Sequence, residues 1–368
     1  MTEPRVALAA WGWDDAHAAA FSGHAAAGLE PGRIVIEDRG SYLVRTADGE
    51  VRATVSGRLR HDAALDGDAI FPAVGDWVAL QGTADVDRRQ VHAVLPRRTA
   101  IVRRAPTDHG APAQVLGTNM DIVVVMTSLN HDLNVRRLER YLALAWGSGA
   151  RPVIVLSKAD LATDLDAALA AVGAVAGDAA IHIVSSKTGV GLAHLAHAFA
   201  VGRTVAIIGS SGVGKSTLVN ALAGELVEAT GAVRADDARG RHTTSRRHLV
   251  LLPSGALVLD TPGMRELGLL DVDAGIEDAF EDIATLAAGC RFADCLHAAE
   301  PGCAVQAAIS DGRLDPRRLA SQRKLGQELT QARTKRGLRA RAEEHHRSTA
   351  ARASAARRTR TNDREEAP

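Results

Sequence analysis

Hydrophobic positions in the first third of the chain occur in short β-type runs separated by turn-rich segments, which is typical of strands rather than helices. The runs are Ile34–Ile36, Tyr42–Val44, Val51–Val55, Asp76–Leu80 and Val91–Val94. Five short strands in about 70 residues fit a small closed barrel of OB or SH3-like type. We therefore predict a barrel over residues 32–105. An Ala-rich helical lead-in at 1–31 precedes it, and we expect Trp11 and Trp13 to pack on the barrel because of their large apolar area.

From residue 121 onward the pattern changes, and continuous apolar runs alternate with helical spacing. The apolar runs are Ile122–Met126, Pro152–Leu156, Ile181–Val184, Val205–Ile208 and Ala256–Leu259, and the helical stretches between them are Asn134–Trp146, Leu161–Val175 and Gly191–Ala200. Val- and Ile-rich strands between helices are typical of a parallel sheet covered on both faces. We predict an α/β domain over 106–270, a helical domain over 271–335, and a disordered tail at 336–368.

Length and composition are those of a soluble protein with two or three domains, because 368 residues exceed a single compact core. No run approaches the roughly 18 apolar residues of a membrane span, and the N-terminus lacks a secretory pattern, so a cytoplasmic location is expected. The chain carries 44 basic and 44 acidic residues, but segment 331–368 alone has a net charge of +6. This tail could hold RNA electrostatically or be a dispensable extension.

The strongest motif is G-x-x-x-x-G-K-S at residues 209–216, directly after a predicted strand and before a helical run. Its glycines let backbone amides wrap phosphate groups, and the helix N-terminus adds a positive dipole end. Lys215 would neutralise the β- and γ-phosphates, and Ser216 would offer a hydroxyl to Mg²⁺. The predicted phosphate-binding residues are Gly209, Ser210, Ser211, Gly212, Val213, Gly214, Lys215, Ser216 and Thr217.

Two further motifs at strand ends favour guanine as the base. Ser157, Lys158 and Asp160 lie in S-K-A-D, in the place of the N-K-x-D of GTPases. A carboxylate at 160 accepts hydrogen bonds from guanine N1–H and its exocyclic amine, whereas adenine would leave that charge unpaired. The stem of Lys158 would cover the purine. The segment Ser185, Ser186 and Lys187 resembles the S-A-K loop that meets the guanine oxygen.

The remaining nucleotide motif, D-x-x-G, occurs at residues 260–263. Asp260 would hold Mg²⁺ through water, and the Gly263 amide would sense the γ-phosphate. Between it and the phosphate loop, Thr243 or Thr244 would supply a switch hydroxyl to Mg²⁺. Standard GTPases carry these motifs in the order P-loop, threonine, D-x-x-G, N-K-x-D, S-A-K, so this chain is circularly permuted.

At the C-terminal side, all three cysteines lie between residues 290 and 303, which suggests a metal site rather than disulfides. Together with the permuted motif order, Val74–Val78, Gly240–Thr244 and Cys290-x₄-Cys295-x-His297-x₅-Cys303, this cluster resembles the circularly permuted GTPases of small-ribosomal-subunit maturation (RsgA, YjeQ or YloQ). The resemblance covers roughly residues 32–330. Three thiolates and one imidazole can complete a closed tetrahedral zinc shell, which indicates a structural site.

The resemblance implies a multidomain fold with an OB-like barrel, a permuted P-loop GTPase domain and a helical zinc-binding domain. It also implies GTP hydrolysis stimulated by the small ribosomal subunit, with barrel and zinc domain contacting its rRNA. GTP and GDP, Mg²⁺ with the nucleotide and one structural Zn²⁺ are the expected ligands, and a monomer without membrane partners is expected. On the barrel, phosphate contacts could come from Arg58, Arg60, Arg97, Arg98, Arg103 and Arg104, although such arginines are usually a solvated surface.

Three residues, Ser157, Met264 and His242, bear on the affinity and the mechanism that the resemblance implies. Ser157 stands where many relatives have Asn, so the amide that braces base and phosphate loop is lost and lower affinity is expected. Met264 follows D-T-P-G where a Ras-like GTPase has a water-orienting Gln, which predicts slow intrinsic turnover. His242, with Lys215, Thr243 and Thr244 as the other catalytic candidates, would position water, or else be a switch-loop histidine without a catalytic part.

Two other function classes stay open from the residues alone. A metabolic P-loop kinase or ATPase would make S-K-A-D accidental, and selectivity between GTP and ATP decides this. An RNA-binding module that uses GTP only as a structural ligand would release no phosphate over multiple turnovers.

Overall fold

The computed structural model describes residues 4–38, 40–65, 71–82, 88–103, 114–130, 133–224, 247–260, 279–330 and 334. The predicted residues His242, Thr243, Thr244, Gly263 and Met264 lie outside this set, as do Arg104 and the basic tail, and so does the side chain of Asp260. In the part of the chain that the structure describes, no helix is long and apolar enough to span a bilayer. The predicted domain boundaries stay predictions.

Five strands close into a barrel, as the sequence predicted. They are β1 (Glu30–Asp38), β2 (Ser41–Arg45), β3 (Glu50–Val55), β4 (Trp77–Gly82) and β5 (Arg88–Val94). Neighbours follow the order β1-β2-β3-β5-β4, and β4 pairs back onto β1 to close the barrel. Helix α3 (Gly57–Leu65) connects β3 to β4. Ile34, Val44, Trp77, Leu80 and Val91 are buried, so apolar side chains from β1, β2, β4 and β5 contribute to the core.

Two N-terminal helices cover one end of this barrel. They are α1 (Pro4–Ala9) and α2 (Asp15–Ala26), and Asp14 caps α2 by accepting a hydrogen bond from the His17 amide at 3.0 Å. Trp13 packs edge-on against Trp77 of β4 with ring centroids 4.7 Å apart. The prediction that the N-terminal tryptophan pair packs on the barrel is confirmed for Trp13.

The nucleotide-domain sheet consists of parallel strands flanked by helices. Its parallel strands are β8 (Ile122–Ser128), β9 (Arg151–Ser157), β10 (Ala180–Ile183), β11 (Thr204–Ile208) and β13 (Leu257–Asp260), and its helices are α4 (Val135–Gly147), α5 (Leu165–Ala176), α6 (Leu192–Ala198) and α7 (Lys215–Ala223). All seven residues of β8 are buried, as expected for a doubly covered sheet. The strand order is β10-β9-β8-β11-β13. Because the strands are parallel, their carboxyl ends share one edge.

Strand β12 (Arg247–Leu251) joins the barrel to this sheet, which the sequence did not predict. It runs antiparallel to β13 on one side and to β1 on the other, with Ile36 opposite His248. Arg247 adds an ion pair to Glu37 and a hydrogen bond to the Val115 carbonyl at 2.9 Å. Barrel and nucleotide domain therefore share one sheet of eleven strands.

A hairpin of β6 (Ala100–Arg103) and β7 (Gln114–Thr118) packs against this junction and was also not predicted. Gly117 explains the close approach, since a Cβ there would lie 2.0 Å from the Leu259 side chain on β13.

Arg33 on β1 connects the two domains from within. Its side chain is buried with 1% exposure, and it donates to the carbonyls of Trp11 and Gly75 and to the Thr204 hydroxyl at the start of β11. The guanidinium also lies 5.3 Å from the centroid of the Trp77 ring. Burial lowers the pKa of Arg33 to about 10, so the group remains charged at neutral pH. Backbone acceptors thus satisfy a buried cation between barrel and sheet.

The C-terminal part is helical, as predicted. It contains α8 (Glu281–Ala287), α9 (Ala304–Ser310) and α10, residues 316–330. Arg318 of α10 pairs with Asp282 and, at 3.2 Å, with Glu139 of α4. Burial raises the pKa of Glu139, while hydrogen bonds from Ser321 and the charge of Arg318 oppose the rise. This buried network ties the C-terminal helices to the nucleotide domain.

Candidate nucleotide site and metal centre

The predicted phosphate loop lies at the carboxyl edge of the parallel sheet, between β11 and α7. Gly209 has a φ of 152°, and a Cβ there would lie 2.3 Å from the Met126 carbonyl oxygen, so a side chain cannot be placed. Gly214 has a φ of 97° where the loop enters α7, again a conformation that favours glycine. The two glycines therefore allow the tight passage from strand to helix that exposes backbone amides to an anion.

Lys215 extends back over the loop that precedes it. Its Nζ donates to the carbonyls of Gly209 at 2.7 Å and Ser210 at 2.6 Å. The ammonium group is thus held above the loop, where phosphate oxygens can become its acceptors. Ser216 and Thr217 follow in the first turn of α7.

The S-K-A-D segment contacts the phosphate loop directly. The Ser157 hydroxyl, at the end of β9, donates to the Val213 carbonyl at 2.7 Å, and Lys158 Nζ donates to the Gly212 carbonyl at 2.7 Å. Lys158 adopts a left-handed backbone with a φ of 57°, which turns the chain sharply after the strand. Two segments more than 50 residues apart, which the sequence predicted to converge on one nucleotide, are therefore in contact.

This contact corrects one expectation. The sequence predicted that serine at position 157 loses the brace to the phosphate loop, but the buried hydroxyl reaches the Val213 carbonyl and lies 3.2 Å from the Thr127 carbonyl. A hydrogen bond from position 157 to the phosphate loop is therefore present, because β9 and the loop approach closely enough for a short side chain, and the expected lower affinity stays a prediction.

We expect Ser157→Ala to weaken GDP binding by about 5- to 30-fold, since losing this buried hydrogen bond costs about 1–2 kcal/mol. Calorimetric titration with GDP measures the effect. Ser22→Ala, which removes an exposed hydroxyl on α2, serves as the control and should leave affinity unchanged. Equal affinities for the parent and the Ser157 variant would show that the brace contributes nothing to binding.

The two predicted guanine-contacting loops also meet each other. The Ser185 hydroxyl donates to Asp160 Oδ1 at 2.6 Å and accepts from the Thr188 amide at 3.2 Å. The hydrogen bond from Ser185, with smaller contributions from the charges of Lys187 and Lys158, lowers the pKa of Asp160. The carboxylate is therefore ionised and oriented at neutral pH. Ser186 is half-buried and Lys187 is exposed beside it.

At the other side of the phosphate loop, β13 ends at Asp260. This strand is the neighbour of β11, with Ala206 opposite Leu259, so the backbone of Asp260 reaches the same edge. Met126, which closes around Gly209 from the end of β8, was not identified from the sequence. Its position inside a continuous apolar strand carries no signal of a loop contact.

The four predicted metal ligands lie together in the C-terminal part. The three Sγ atoms and a ring nitrogen of His297 all lie within 4.8 Å of one another. Nδ1 of His297 is 3.6 Å from Cys290 Sγ and 3.5 Å from Cys303 Sγ, and these two sulfurs are 3.8 Å apart. These residues could bind a metal ion.

Backbone amides at the start of α9 donate hydrogen bonds to the sulfur atoms of Cys290 and Cys303. Burial raises the pKa of the Cys290 thiol, but hydrogen bonds from the amides of Val305 and Ala304 outweigh it and lower the pKa. Cys303 caps α9, its Sγ accepting from the Gln306 amide at 3.4 Å. At Cys290 the amides therefore favour thiolate, the form that binds metals, whereas burial raises the pKa of the Cys295 thiol to about 11.

Comparison with known proteins gives two matching family models and curated relatives that share one name. A family model described as RsgA GTPase matches residues 94–270, and one described as ABC transporter matches residues 192–361, a range that includes the phosphate loop. The protein named small ribosomal subunit biogenesis GTPase RsgA of Opitutus terrae is 47% identical over 89% of this chain and 91% of its own length. The protein of the same name from Streptomyces coelicolor is 46% identical, covering 92% of this chain and 90% of its own.

Two solved structures share the fold. YjeQ from Thermotoga maritima has a TM-score of 0.60 at 24% identity, covering 82% of this chain and 99% of that one. YloQ, described as a circularly permuted GTPase, has a TM-score of 0.58 at 24% identity, covering 82% of this chain and 96% of that one.

Proposed function

Since this chain belongs to the RsgA family of GTPases, we propose that the small ribosomal subunit stimulates its hydrolysis of GTP and that hydrolysis releases it from a late assembly intermediate. The nucleotide-binding part of this proposal is supported by two hydrogen bonds, from Ser157 and Lys158 to the phosphate loop. They bring two motifs that are distant in sequence into contact. We place the protein in the cytoplasm in this proposal, because its relatives are named for the biogenesis of the small ribosomal subunit.

In this proposal, the nucleotide lies along the carboxyl edge of the sheet. The amides of residues 209–217 bind the phosphates, and Lys215 exchanges its two carbonyl acceptors for β- and γ-phosphate oxygens. Asp160 reads the guanine edge, Lys158 covers the ring, and the segment of Ser185, Ser186 and Lys187 borders the base. All of these side chains approach from strand ends at the same edge.

This edge could hold Mg²⁺, because it carries two residues with oxygen-bearing side chains. Ser216 lies in the first turn of α7, directly after Lys215, and Asp260 ends the neighbouring strand. Bound with GTP, Mg²⁺ supplies charge neutralisation between the β- and γ-phosphates. Thr243 or Thr244 completes the ligands and Gly263 donates to the γ-phosphate in this hypothesis. The chain's own contribution is to position the phosphates and hold Lys215 against them.

Zinc fits the C-terminal cluster by its geometry. Zn–S bonds of about 2.3 Å and Zn–N bonds of about 2.0–2.1 Å at tetrahedral angles separate two sulfurs by about 3.8 Å and a sulfur from a nitrogen by about 3.5–3.6 Å. The distances between Cys290, Cys303 and His297 have these values without adjustment. We assign Cys290, Cys295, His297 and Cys303 to one structural Zn²⁺, because four protein ligands leave no open position for catalysis.

The barrel is proposed to contact rRNA, because OB folds bind single-stranded or folded RNA on one face. Among the arginines named from the sequence, Arg97 forms a bidentate ion pair with Asp76, and Arg98 pairs with Asp14. Arg58 and Arg60 lie on α3. The proposed RNA face therefore includes Arg60, which is exposed on α3, rather than Arg97, whose guanidinium is held by Asp76.

The experiment that tests this function is multiple-turnover phosphate release from GTP and from ATP, with and without purified small subunits. We expect slow release from GTP alone, acceleration by small subunits, and no release from ATP. Large subunits serve as the control particle. Equal turnover with and without small subunits would contradict the proposed stimulation but leave the GTPase assignment intact.

The proposed water-positioning role of His242 makes a separate prediction. We expect His242→Ala to keep GTP affinity and subunit binding but to lower stimulated turnover by about 100-fold, the lower limit for loss of a positioned catalytic group. Affinity by calorimetry, cosedimentation and single-turnover hydrolysis measure the three properties. His197→Ala, at an exposed position on α6, is the control. Full stimulated turnover by the His242 variant would eliminate the role.

A further inference from the structure

Glu300 lies in the middle of the metal-binding loop without belonging to the ligand group. It stands three residues after His297 and three before Cys303, and its side chain is half-buried. Among the described residues, the cluster that could hold a metal consists only of the three cysteines and the histidine. The carboxylate of Glu300 is instead directed at the backbone of its own loop.

Three backbone amides donate to this carboxylate. Oε1 accepts from Leu296 at 3.0 Å, and Oε2 accepts from Ala298 at 2.7 Å and from Ala299 at 3.1 Å. The donors flank His297 on both sides, one before it and two after it. Hydrogen bonds to an ionised acceptor are about twice as strong as neutral ones, so this carboxylate fixes the path of the chain around the histidine.

His297 needs such support because its backbone is left-handed, with a φ of 58°. For a residue with a Cβ this conformation costs about 1–2 kcal/mol, and isolated residues adopt it only when their surroundings impose it. On the opposite side of the peptide, Gln306 of α9 donates its side-chain amide to the His297 carbonyl. The left-handed turn aims Nδ1 at the sulfurs of Cys290 and Cys303.

Glu300 also connects the histidine turn to the next ligand. Its backbone carbonyl accepts from the Cys303 amide at 3.3 Å, at the point where Cys303 begins to cap α9. One residue therefore holds the histidine turn with its side chain and the final cysteine with its main chain. Without the carboxylate, three amides in the His297 turn would lose their acceptor.

We propose that Glu300 is a positioning residue of the metal centre, which holds His297 in its ligand conformation before the metal binds. The inference rests on the proposed assignment of Zn²⁺ to this cluster. Groups that orient metal ligands without touching the metal typically contribute about 10- to 100-fold to metal affinity. The carboxylate of Glu300 acts on the backbone around His297, and its effect therefore reaches the metal through the His297 turn.

The test compares the full-length protein with Glu300→Ala and Glu300→Gln, using Co²⁺ as a spectroscopic probe and Zn²⁺ in competition with a chromogenic chelator. We expect Zn²⁺ affinity to fall by about 10- to 100-fold in Glu300→Ala. Glutamine keeps one carbonyl oxygen, which can serve two of the three amides, so Glu300→Gln should fall between the parent and Glu300→Ala. The ligand-field bands of Co²⁺ should weaken or shift as the imidazole leaves the tetrahedral shell.

Asp311→Asn is the matched control, because it removes an exposed carboxylate near the end of α9 that pairs with Arg313 at 3.1 Å. It should keep parental affinity and an unchanged cobalt spectrum. GDP binding, measured in every variant, reports whether the chain still folds.

The possible failures are distinguishable. If both Glu300 variants match the parent in Zn²⁺ affinity and cobalt spectrum, or if Asp311→Asn loses the metal equally, the positioning role is overturned while the zinc assignment stands. If the parent itself shows no tetrahedral Co²⁺ spectrum and no tight Zn²⁺ binding, the metal assignment fails and this inference fails with it.

Discussion

Replacing Asp160 by Asn is expected to lower GTP affinity by about 100-fold or more and to create binding of xanthosine triphosphate. Asp160 is ionised and held by Ser185 at 2.6 Å, so the change affects a preorganised acceptor rather than a mobile side chain. An amide can still accept from guanine N1–H, but its NH₂ group would face the exocyclic amine of guanine. Xanthine carries a carbonyl at that position and can accept from the amide.

The matched control is Asp164→Asn, the same chemical change four residues later. Asp164 caps α5 by accepting from the Ala167 amide at 2.9 Å, and asparagine is an equally good cap. Fluorescence titrations with labelled GDP and xanthosine diphosphate measure both affinities. If Asp160→Asn bound GDP like the parent, or if Asp164→Asn lost GDP equally, Asp160 would not be the residue that reads the base.

Replacing Arg318 by Ala is expected to be strongly destabilising, by about 3–5 kcal/mol, because it leaves the buried carboxylate of Glu139 without its cation. Arg318 is 6% exposed and Glu139 is 3% exposed, and they join α10 to α4. The same guanidinium pairs with Asp282 at 2.7 Å and lies 4.8 Å from the Phe280 ring. No other described cation is paired with Glu139 in the network, so its charge would remain buried.

Urea unfolding measures the loss of stability. Circular dichroism follows the helices of the whole chain, and nucleotide release follows the nucleotide domain. Arg317→Ala, at the exposed neighbouring position, is the control and should change stability by less than about 0.5 kcal/mol. The double variant Arg318→Ala with Glu139→Gln should recover part of the loss, since the unpaired charge is removed. Similar stabilities for the two single Arg variants would contradict the proposed buried network.

Sequence periodicity predicted most of the fold because its strands are apolar in the pattern that their burial requires. In the barrel, β2 alternates between buried and half-buried positions, and in the nucleotide domain all seven residues of β8 are buried, as in a strand covered on both faces. The strand Arg247–Leu251 was missed because it begins with two basic residues and shows little alternation. The β6–β7 hairpin was missed because its second strand, Gln114–Thr118, is short and contains a glycine.

The candidate site was predictable where a motif has fixed spacing along the chain, as in residues 209–216 and Cys290–Cys303. It was not predictable where partners are distant. Arg318 and Glu139 are 179 residues apart, and neither carries a local pattern that indicates the other. The contact made by Ser157 could not be predicted from its side chain alone. Whether its hydroxyl reaches the Val213 carbonyl depends on how closely β9 approaches the phosphate loop.

Strand β12 has a mechanical consequence. Along the sequence, His242, Thr243 and Thr244 come shortly before Arg247, the first residue of β12. Strand β12 is hydrogen-bonded on one side to β1 of the barrel and on the other side to β13, which ends at Asp260. Tilting the barrel would shear a backbone ladder and the Arg247–Glu37 ion pair. A macromolecule that binds the barrel would therefore act, through this backbone ladder, on the strand that lies between the two predicted switch motifs along the chain.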